Sequence, residues 1–278
     1  MGQEEESAKS ADGATSEEKR PGDQPLFSPG RTLPEHERLA RVGRGVHATV
    51  YKVRLPSGDI RALRLPNLHT AASVSPPGMD GSRGGFPEGM ECWASVSDLH
   101  GVVSIHEMGL EPRPWALLEY CVDSLKTRGD ELTSREVAAM LVALSETVET
   151  VHQRGVAHLD LKQSNVLLSA AGQPRLGDWG EAKRLEEDAT LKQLQDIRAL
   201  GLLAYELLTG LEPYDRSARA DIATFFEPRS IMPPSEVDST LPASIDAPIL
   251  DTFARPERAT TESLDRLART LSEAFELG

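Results

Sequence analysis

Two short segments near the middle of this 278-residue chain carry side chains that could bind a metal ion and accept a proton. The first runs from His158 to Asn165 and contains Asp160 and Lys162, and the second begins at Asp178, thirteen residues after Asn165. Carboxylate and amide oxygens are ligands that Mg²⁺ prefers, and a carboxylate beside a hydroxyl group could accept its proton. A single pattern of this kind recurs by chance, but two patterns linked in this order indicate one shared site.

The two segments together resemble the catalytic loop and the metal-binding Asp-Phe-Gly turn of the protein kinases. The resemblance implies that Asp160 orients and deprotonates the acceptor hydroxyl, while Lys162 steadies the charge of the phosphoryl group. It also implies that Asn165 and Asp178 bind Mg²⁺ on the phosphates of ATP. A lysine two residues after the aspartate is the serine/threonine-kinase form of this loop.

A glycine-containing segment precedes these motifs. Residues 41–53 read as a strand, a turn and a second strand, and Gly43 and Gly45 allow the close backbone approach that a Cβ would obstruct. The segment resembles the kinase glycine-rich loop, with Ala48 in place of its third glycine and Val50 as its valine. The resemblance implies that Gly43, Gly45 and Val50 contact the nucleotide.

The next strand, residues 60–65, places Ile60, Ala62 and Arg64 on one face by its period of two. It resembles the kinase Val-Ala-Ile-Lys strand, in which the lysine binds the α- and β-phosphates and pairs with a glutamate of a helix. Arg64 takes the position of that lysine. Arginine is a larger, planar cation that can still contact phosphates, so we expect nucleotide binding to survive and phosphoryl transfer to suffer.

Two glutamates compete as the partner of Arg64. Glu91 lies nine residues before His100, which matches the spacing in the family, and Glu88 is the alternative. Residues 116–121 then resemble the fifth strand and the hinge, where adenine would meet the backbone from Glu119 to Cys121 with Leu118 behind it. Leu167, in the apolar run after Asn165, completes the predicted nucleotide site.

Three helices are expected to position these segments. Thr133 and Glu136 form a capping box that opens a helix leading to the catalytic loop. Residues 196–209 are apolar nearly all round and predict a buried core helix that ends at Gly210; in the family, the aspartate that begins this helix braces the catalytic loop. A final helix carries one apolar stripe, made of Leu264, Leu267, Leu271 and Phe275.

Composition excludes several other classes of function. A net charge of -14 argues against sequence-independent nucleic-acid binding, which needs a basic surface. Two cysteines do not make a disulfide framework, and the longest apolar runs are too short to span a bilayer. We therefore expect ATP and a protein substrate or protein partner, with no nucleic acid and no membrane, and a cytoplasmic location with the nucleus as the second choice.

The predicted fold is α+β, with the bilobal architecture of the kinases: a small β-rich N-lobe over residues 38–120 and a larger helical C-lobe over 121–277. Residues 1–30 are predicted to be a disordered acidic tail, because their Glu, Ser, Gly, Lys and Pro content cannot bury a core. The kinase-like domain is then 31–277. It includes a Pro/Gly-rich connector over residues 66–87.

The chain departs from the kinase pattern in more than Arg64. Only 17 residues separate Asp178 from Asp196, and none of them forms the Ala-Pro-Glu motif that closes the segment on which a peptide substrate lies. Arg258, which in the family pairs with that missing glutamate, therefore needs another partner. Leu159 also replaces the arginine that grips a phosphorylated activation loop.

Three functions remain open. The first is a pseudokinase or weakly active serine/threonine kinase that binds ATP and Mg²⁺ and acts in regulation or scaffolding. The second is a divergent, active serine/threonine kinase that transfers the γ-phosphate of ATP to protein hydroxyls. The third is a small-molecule kinase of kinase-like fold, which the short segment after Asp178 would suit and which the glycine-rich loop and Lys162 disfavour.

Overall fold

The computed structural model describes residues 31–45, 48–67, 88–186, 189–213, 231–255 and 258–277. The predicted disordered tail and residues 68–87 of the predicted connector lie outside the described residues. The strands within the described residues are β1 (Glu37–Arg44), β2 (Ala48–Arg54), β3 (Ile60–Pro66), β4 (Ile105–Gly109), β5 (Trp115–Leu118), β6 (Asp123–Ser124), β7 (Val156–Ala157), β8 (Val166–Leu168), β9 (Pro174–Leu176) and β10 (Lys183–Arg184). The helices are α1 (Glu88–Val96), α2 (Leu125–Arg128), α3 (Ser134–Gln153), α4 (Ala189–Thr209), α5 (Pro234–Val237), α6 (Asp246–Phe253) and α7 (Ser263–Ala274).

The first five strands make one antiparallel sheet in the order β1-β2-β3-β5-β4 among the described residues. The predicted alternation along β3 is confirmed, since Ala62 packs into the main core while Leu63 and Leu65 belong to a separate cluster on the other face. That second cluster also contains Val53, Trp115 and Leu117. The sheet thus presents Ala62 and Arg64 to the interior of the molecule.

Helix α1 packs against this sheet through one buried stripe. Met90, Cys92, Trp93 and Val96 are buried, and the indole of Trp93 donates a hydrogen bond of 2.7 Å to the carbonyl of Val103. The bond fixes α1 to the segment that leads into β4. The helix is therefore held beside β3 by two kinds of contact: packing of its apolar face and the hydrogen bond of the Trp93 indole.

The long helix α3 begins with the predicted capping box. Thr133 Oγ1 accepts a hydrogen bond from the amide of Glu136, and the Glu136 carboxylate accepts one of 2.8 Å from the amide of Thr133. These two bonds satisfy donors that the first helical turn would otherwise leave unpaired. The buried residues of α3 follow helical spacing and include Val137, Leu141, Leu144, Val148 and Val151.

Helix α4 runs through the centre of the core. It begins at Ala189, seven residues earlier than predicted, and ends at Gly210, whose φ of 69° supplies the predicted left-handed stop. An added Cβ at Gly201 would lie 2.7 Å from the Cβ of Thr252 in α6, so the two helices approach closely at this glycine. The stripe of α7 is confirmed for Leu264, Leu267 and Leu271, which are buried.

The short strands position the two predicted motifs. β8 pairs with both β6 and β9, and β7 pairs with β10. The loop between β7 and β8 carries Asp160, and the turn between β9 and β10 carries Asp178. With a sheet-rich first part and a helix-rich second part, the structure confirms the predicted α+β bilobal fold. None of its described helices is long and apolar enough to cross a membrane.

Candidate active site

The loop before β8 is held by one buried carboxylate. Asp196, on α4, is 0% exposed and accepts hydrogen bonds from the amides of His158 (2.8 Å) and Leu159 (2.7 Å). Its Oδ2 atom also lies 2.9 Å from Nε2 of His152 on α3. Leu159 has a φ of 63°, a backbone conformation that residues with a side chain rarely adopt. The two amide bonds to Asp196 hold this conformation, and so fix the direction in which the next residue, Asp160, leaves the loop.

His158 links this loop to the strand before Asp178. Its Nε2 atom lies 3.0 Å from the carbonyl oxygen of Gly177, and its Nδ1 atom accepts the amide of Asp160 at 3.3 Å. The neutral ring protonated on Nε2 satisfies both contacts, and burial lowers the pKa of His158 in the same direction. His158 therefore serves as a structural connector, and the ring of Trp179 packs against it with 4.6 Å between centroids.

Asp160, Lys162 and Asn165 lie together, as predicted. Lys162 Nζ is 2.6 Å and 2.8 Å from the two carboxylate oxygens of Asp160, and Asn165 Nδ2 donates to the carboxylate and the carbonyl of Asp160, each at 2.8 Å. The carboxylate is thus oriented by two neighbours, and an oriented carboxylate is what proton transfer from a hydroxyl group requires.

Asp178 lies beside this group because the amide of Gly177 donates a hydrogen bond of 2.9 Å to the carbonyl of Asn165. The backbone of Asp178 is left-handed, with a φ of 53°, and its side chain is 56% exposed. The amide nitrogen of Asn165 donates to Asp160, and among the described residues its Oδ1 atom has only a 3.3 Å contact from Ser164. In the described part of the chain, Oδ2 of Asp178 has no hydrogen-bond partner. This pair of oxygen donors fits a hard cation such as Mg²⁺.

The predicted pairing of Arg64 with Glu91 is wrong. Nη2 of Arg64 instead lies 3.5 Å from Oδ1 of Asp178, and Nη1 lies 3.6 Å from the sulfur of Met90. Glu91 is exposed and has no ion pair among the described residues, since it sits on the outer face of α1 while Met90 sits on the buried face. Arg64 therefore has a methionine, not a carboxylate, beside it on the helix.

Glu88, the alternative partner, is also directed elsewhere. Its carboxylate forms a 2.6 Å ion pair with Lys183 on β10, and the hydrogen bond from Lys183 lowers the pKa of Glu88. The following residue, Gly89, packs against the backbone of the turn after Asp178. An added Cβ there would lie 2.8 Å from the carbonyl oxygen of Gly180, and closer still to that of Trp179. Helix α1 is thus fastened to this turn and to β10 by Gly89 and Glu88, and it contacts β3 through the hydrogen bond from Arg64 to the sulfur of Met90.

The predicted nucleotide contacts lie along the same side of the sheet. Gly43 is near the end of β1, and the amide of Gly45 donates to the carbonyl of Ala48, the first residue of β2, at 2.9 Å. Apolar side chains then line the inner face, which is formed by Val50, Ala62 and, from β8, Leu167.

At the hinge, the carbonyl of Glu119 and the amide of Cys121 have no hydrogen-bond partner among the described residues, while the Glu119 amide is used by Ser104. These two groups are free for a ligand. Burial raises the pKa of the Cys121 thiol to about 12, so this cysteine offers its backbone and not a thiolate.

Arg258, which has no glutamate of an Ala-Pro-Glu motif to pair with, pairs with an aspartate instead. Asp251 of α6, nearly buried, lies 3.6 Å from Arg258, 3.0 Å from Arg255 and 3.2 Å from Arg266 of α7. One carboxylate therefore joins α6, the turn after it and α7, without the segment that follows Asp178.

Sequence reasoning missed Met90 and Asp251. For Met90 a signal was present, since Met90 and Trp93 are three residues apart and share the apolar face of α1, whereas Glu91 falls on the opposite face. For Asp251 the local signal was one ion pair, with Arg255 four residues later, and the further contacts with Arg258 and Arg266 form only in the folded chain.

Comparison with known proteins adds a family and several relatives. The protein kinase domain model matches residues 36–195. Serine/threonine-protein kinase 16 of Mus musculus is 25% identical over 153 residues, covering 40% of this chain and 50% of that protein. Serine/threonine-protein kinase PknK of Mycobacterium bovis is 26% identical over 250 residues, covering 79% of this chain and 22% of that protein. The probable serine/threonine-protein kinase PknB of Bifidobacterium longum is 24% identical over 237 residues, covering 74% of this chain and 32% of that protein. The chain thus spans half of the first relative and less of the other two.

Proposed function

This chain belongs to the protein kinase domain family, and from that premise we propose that it binds ATP and Mg²⁺ as a pseudokinase or weakly active serine/threonine kinase. Its role would then lie in regulation or scaffolding through a protein partner. Adenine would bind the Glu119 carbonyl and the Cys121 amide, under the turn of Gly43 and Gly45. The apolar floor would consist of Val50, Ala62 and Leu167.

Asn165 and Asp178 would hold Mg²⁺, whose charge would offset that of the phosphates. Asp160 would orient the acceptor hydroxyl and accept its proton, and Lys162 would steady the charge on the phosphoryl group. These assignments are supported by the oriented Asp160 carboxylate and by the oxygen atoms of Asn165 and Asp178 that the described residues leave available.

One observation supports weak transfer over efficient transfer: Arg64 contacts Asp178 and Met90, with no carboxylate from α1. Efficient transfer depends on preorganised contacts to the phosphates, and loss of one such contact costs about 10²–10³ in rate. A guanidinium is planar and broader than an ammonium, so it does not reproduce the point contact of a lysine. Since α4 begins at Ala189, little chain is left after Asp178 to form a peptide platform.

The active-kinase alternative rests on a different observation. Asp160, Lys162 and Asn165 keep the mutual contacts that proton acceptance requires, and the relatives named above are called serine/threonine kinases. The short segment after Asp178 is the feature that would suit a small-molecule kinase.

The experiment that separates these functions is transfer of label from γ-labelled ATP with Mg²⁺, to the protein itself and to generic protein substrates. We expect ATP binding by calorimetry, with transfer about 100-fold or more below that of an active kinase run in parallel. The Asp160→Asn variant is the control, because it removes the proton acceptor and keeps the shape. Rapid transfer that vanishes in this variant would establish the active kinase, and absence of ATP binding would contradict the proposal.

The contribution of Arg64 can be tested separately. We expect Arg64→Lys to raise transfer by about 10-fold, and Arg64→Lys combined with Met90→Glu to raise it further, since the pair restores both a point charge and its carboxylate. The same labelled-ATP assay measures both variants. If neither gains activity, the limiting feature is the short segment between Asp178 and α4.

A further inference from the structure

The charged side chains at the centre of the cleft compensate one another within the chain. Asp160 pairs with Lys162 at 2.6 Å, and Asp178 pairs with Arg64 at 3.5 Å. Two carboxylates and two cations sum to zero. Both carboxylates therefore already have a cationic partner when a phosphate group approaches. This pairing reduces the repulsion between carboxylates and phosphates, which a bound cation would otherwise have to offset.

The absence of an acid on the inner face of α1 contributes to this balance. Met90, 2% exposed, occupies the position beside Arg64, and a thioether carries no charge. Glu91 points outward, and Glu88 is neutralised by Lys183. A carboxylate at position 90 would make the centre of the cleft one unit more negative.

Arg64 also has N–H donors that the described residues do not use. A guanidinium has five N–H groups, and the contacts to Met90 and Asp178 use two of them. In the described part of the chain the other three have no acceptor. The side chain is only 11% exposed, so these donors are held in place between β3 and the turn after Asp178. A phosphate group is the natural ligand for such a set, because guanidinium and phosphate match in a two-bond geometry.

We propose that Arg64, left without a helix carboxylate by Met90, takes over part of the charge compensation of a divalent cation, so that this cleft binds ATP with little dependence on Mg²⁺. The inference rests on the proposed function, because it names how the same cleft holds its nucleotide. It assigns Arg64 the role of a phosphate-binding residue and Met90 that of a positioning residue that keeps the guanidinium available.

The test measures ATP affinity by calorimetry in excess EDTA and in excess Mg²⁺. We expect the two dissociation constants to agree within about 10-fold, because the free donors of Arg64 replace part of what the cation supplies and the carboxylates of the cleft are already paired. Arg64→Met should weaken binding in EDTA by about 30-fold or more and binding in Mg²⁺ by less. Arg61→Met is the matched control, since Arg61 lies on the same strand and pairs with Asp59 at 3.6 Å; it should leave both affinities unchanged.

A second pair of variants tests the role of Met90 without removing the arginine. Met90→Glu should weaken binding in EDTA by about 10-fold relative to Met90→Gln, which has the same shape without the charge. Circular dichroism establishes that each variant is folded.

The inference would be overturned by wild-type binding that is more than about 100-fold tighter in Mg²⁺ than in EDTA, or by an Arg64→Met variant that binds normally in EDTA. Either result leaves the proposed function standing, because ATP still binds. No binding under either condition would overturn both proposals.

Discussion

Replacing Asp196 with alanine is expected to lower the free energy of unfolding by about 3–5 kcal/mol, which is a large share of the roughly 5–15 kcal/mol that stabilises a folded protein. The carboxylate is fully buried and accepts two backbone amides, from His158 and Leu159, as well as facing His152. Alanine would leave these donors buried without an acceptor, and each such group costs about 1–3 kcal/mol. Urea unfolding followed by far-UV circular dichroism measures the loss.

Two further variants sharpen this test. Asp196→Asn keeps one acceptor oxygen and should cost less than Asp196→Ala. Asp265→Ala removes an exposed carboxylate of α7 that pairs with Arg269, and should change the free energy of unfolding by at most about 0.5 kcal/mol. A cost below about 1 kcal/mol for Asp196→Ala would mean that the loop is not held by this residue.

The second large effect is expected for Gly89→Ala. The atoms that an added Cβ would meet belong to the backbone of Trp179 and Gly180, so no side chain can rotate away. Helix α1 would have to move off the turn that follows Asp178, taking Met90 away from Arg64. Overpacking of this kind costs about 1–3 kcal/mol, and we expect nucleotide affinity to fall by about 10-fold as Arg64 loses its position.

Thermal unfolding and ATP calorimetry measure the two effects of Gly89→Ala separately. Glu91→Ala is the control on the same helix, because Glu91 is exposed and touches neither Arg64 nor the turn. It should change neither quantity. Equal loss of affinity in both variants would contradict the contact of Arg64 with Met90 and support the pairing of Arg64 with Glu91 that the sequence predicts.

The parts of this site that could be predicted are those encoded within a few residues. The spacing of Asp160, Lys162 and Asn165 predicted that they lie together, and the pair of Thr133 and Glu136 predicted the start of α3, because each depends on local backbone geometry. The face of β3 was predictable for the same reason. In each case the period of a strand or the reach of a side chain over one turn was sufficient.

The errors arose where contacts join distant segments. Counting residues from Glu91 to His100 gave a position along the chain. The side chain that meets β3 depends on how α1 is rotated about its own axis, and the burial of Met90 and Trp93 sets that rotation. Helix α4 was predicted to begin at Asp196 because the stretch that is apolar nearly all round begins there. The helix extends to Ala189 because its first turns lie near the surface, where polar residues suit a helix well.

The ion cluster around Asp251 has a consequence for communication across the molecule. Arg255, Arg258 and Arg266 tie α6 and α7 to one another through a carboxylate of their own. In an arrangement that used a glutamate from the segment after Asp178, any rearrangement of that segment would also pull on these helices. Here the two regions are joined by no such tether among the described residues. A rearrangement of the segment after Asp178 would therefore not be transmitted to α6 and α7 through this ion cluster, and a path that remains between the two regions is the packing of α4 on α6 at Gly201 and Thr252.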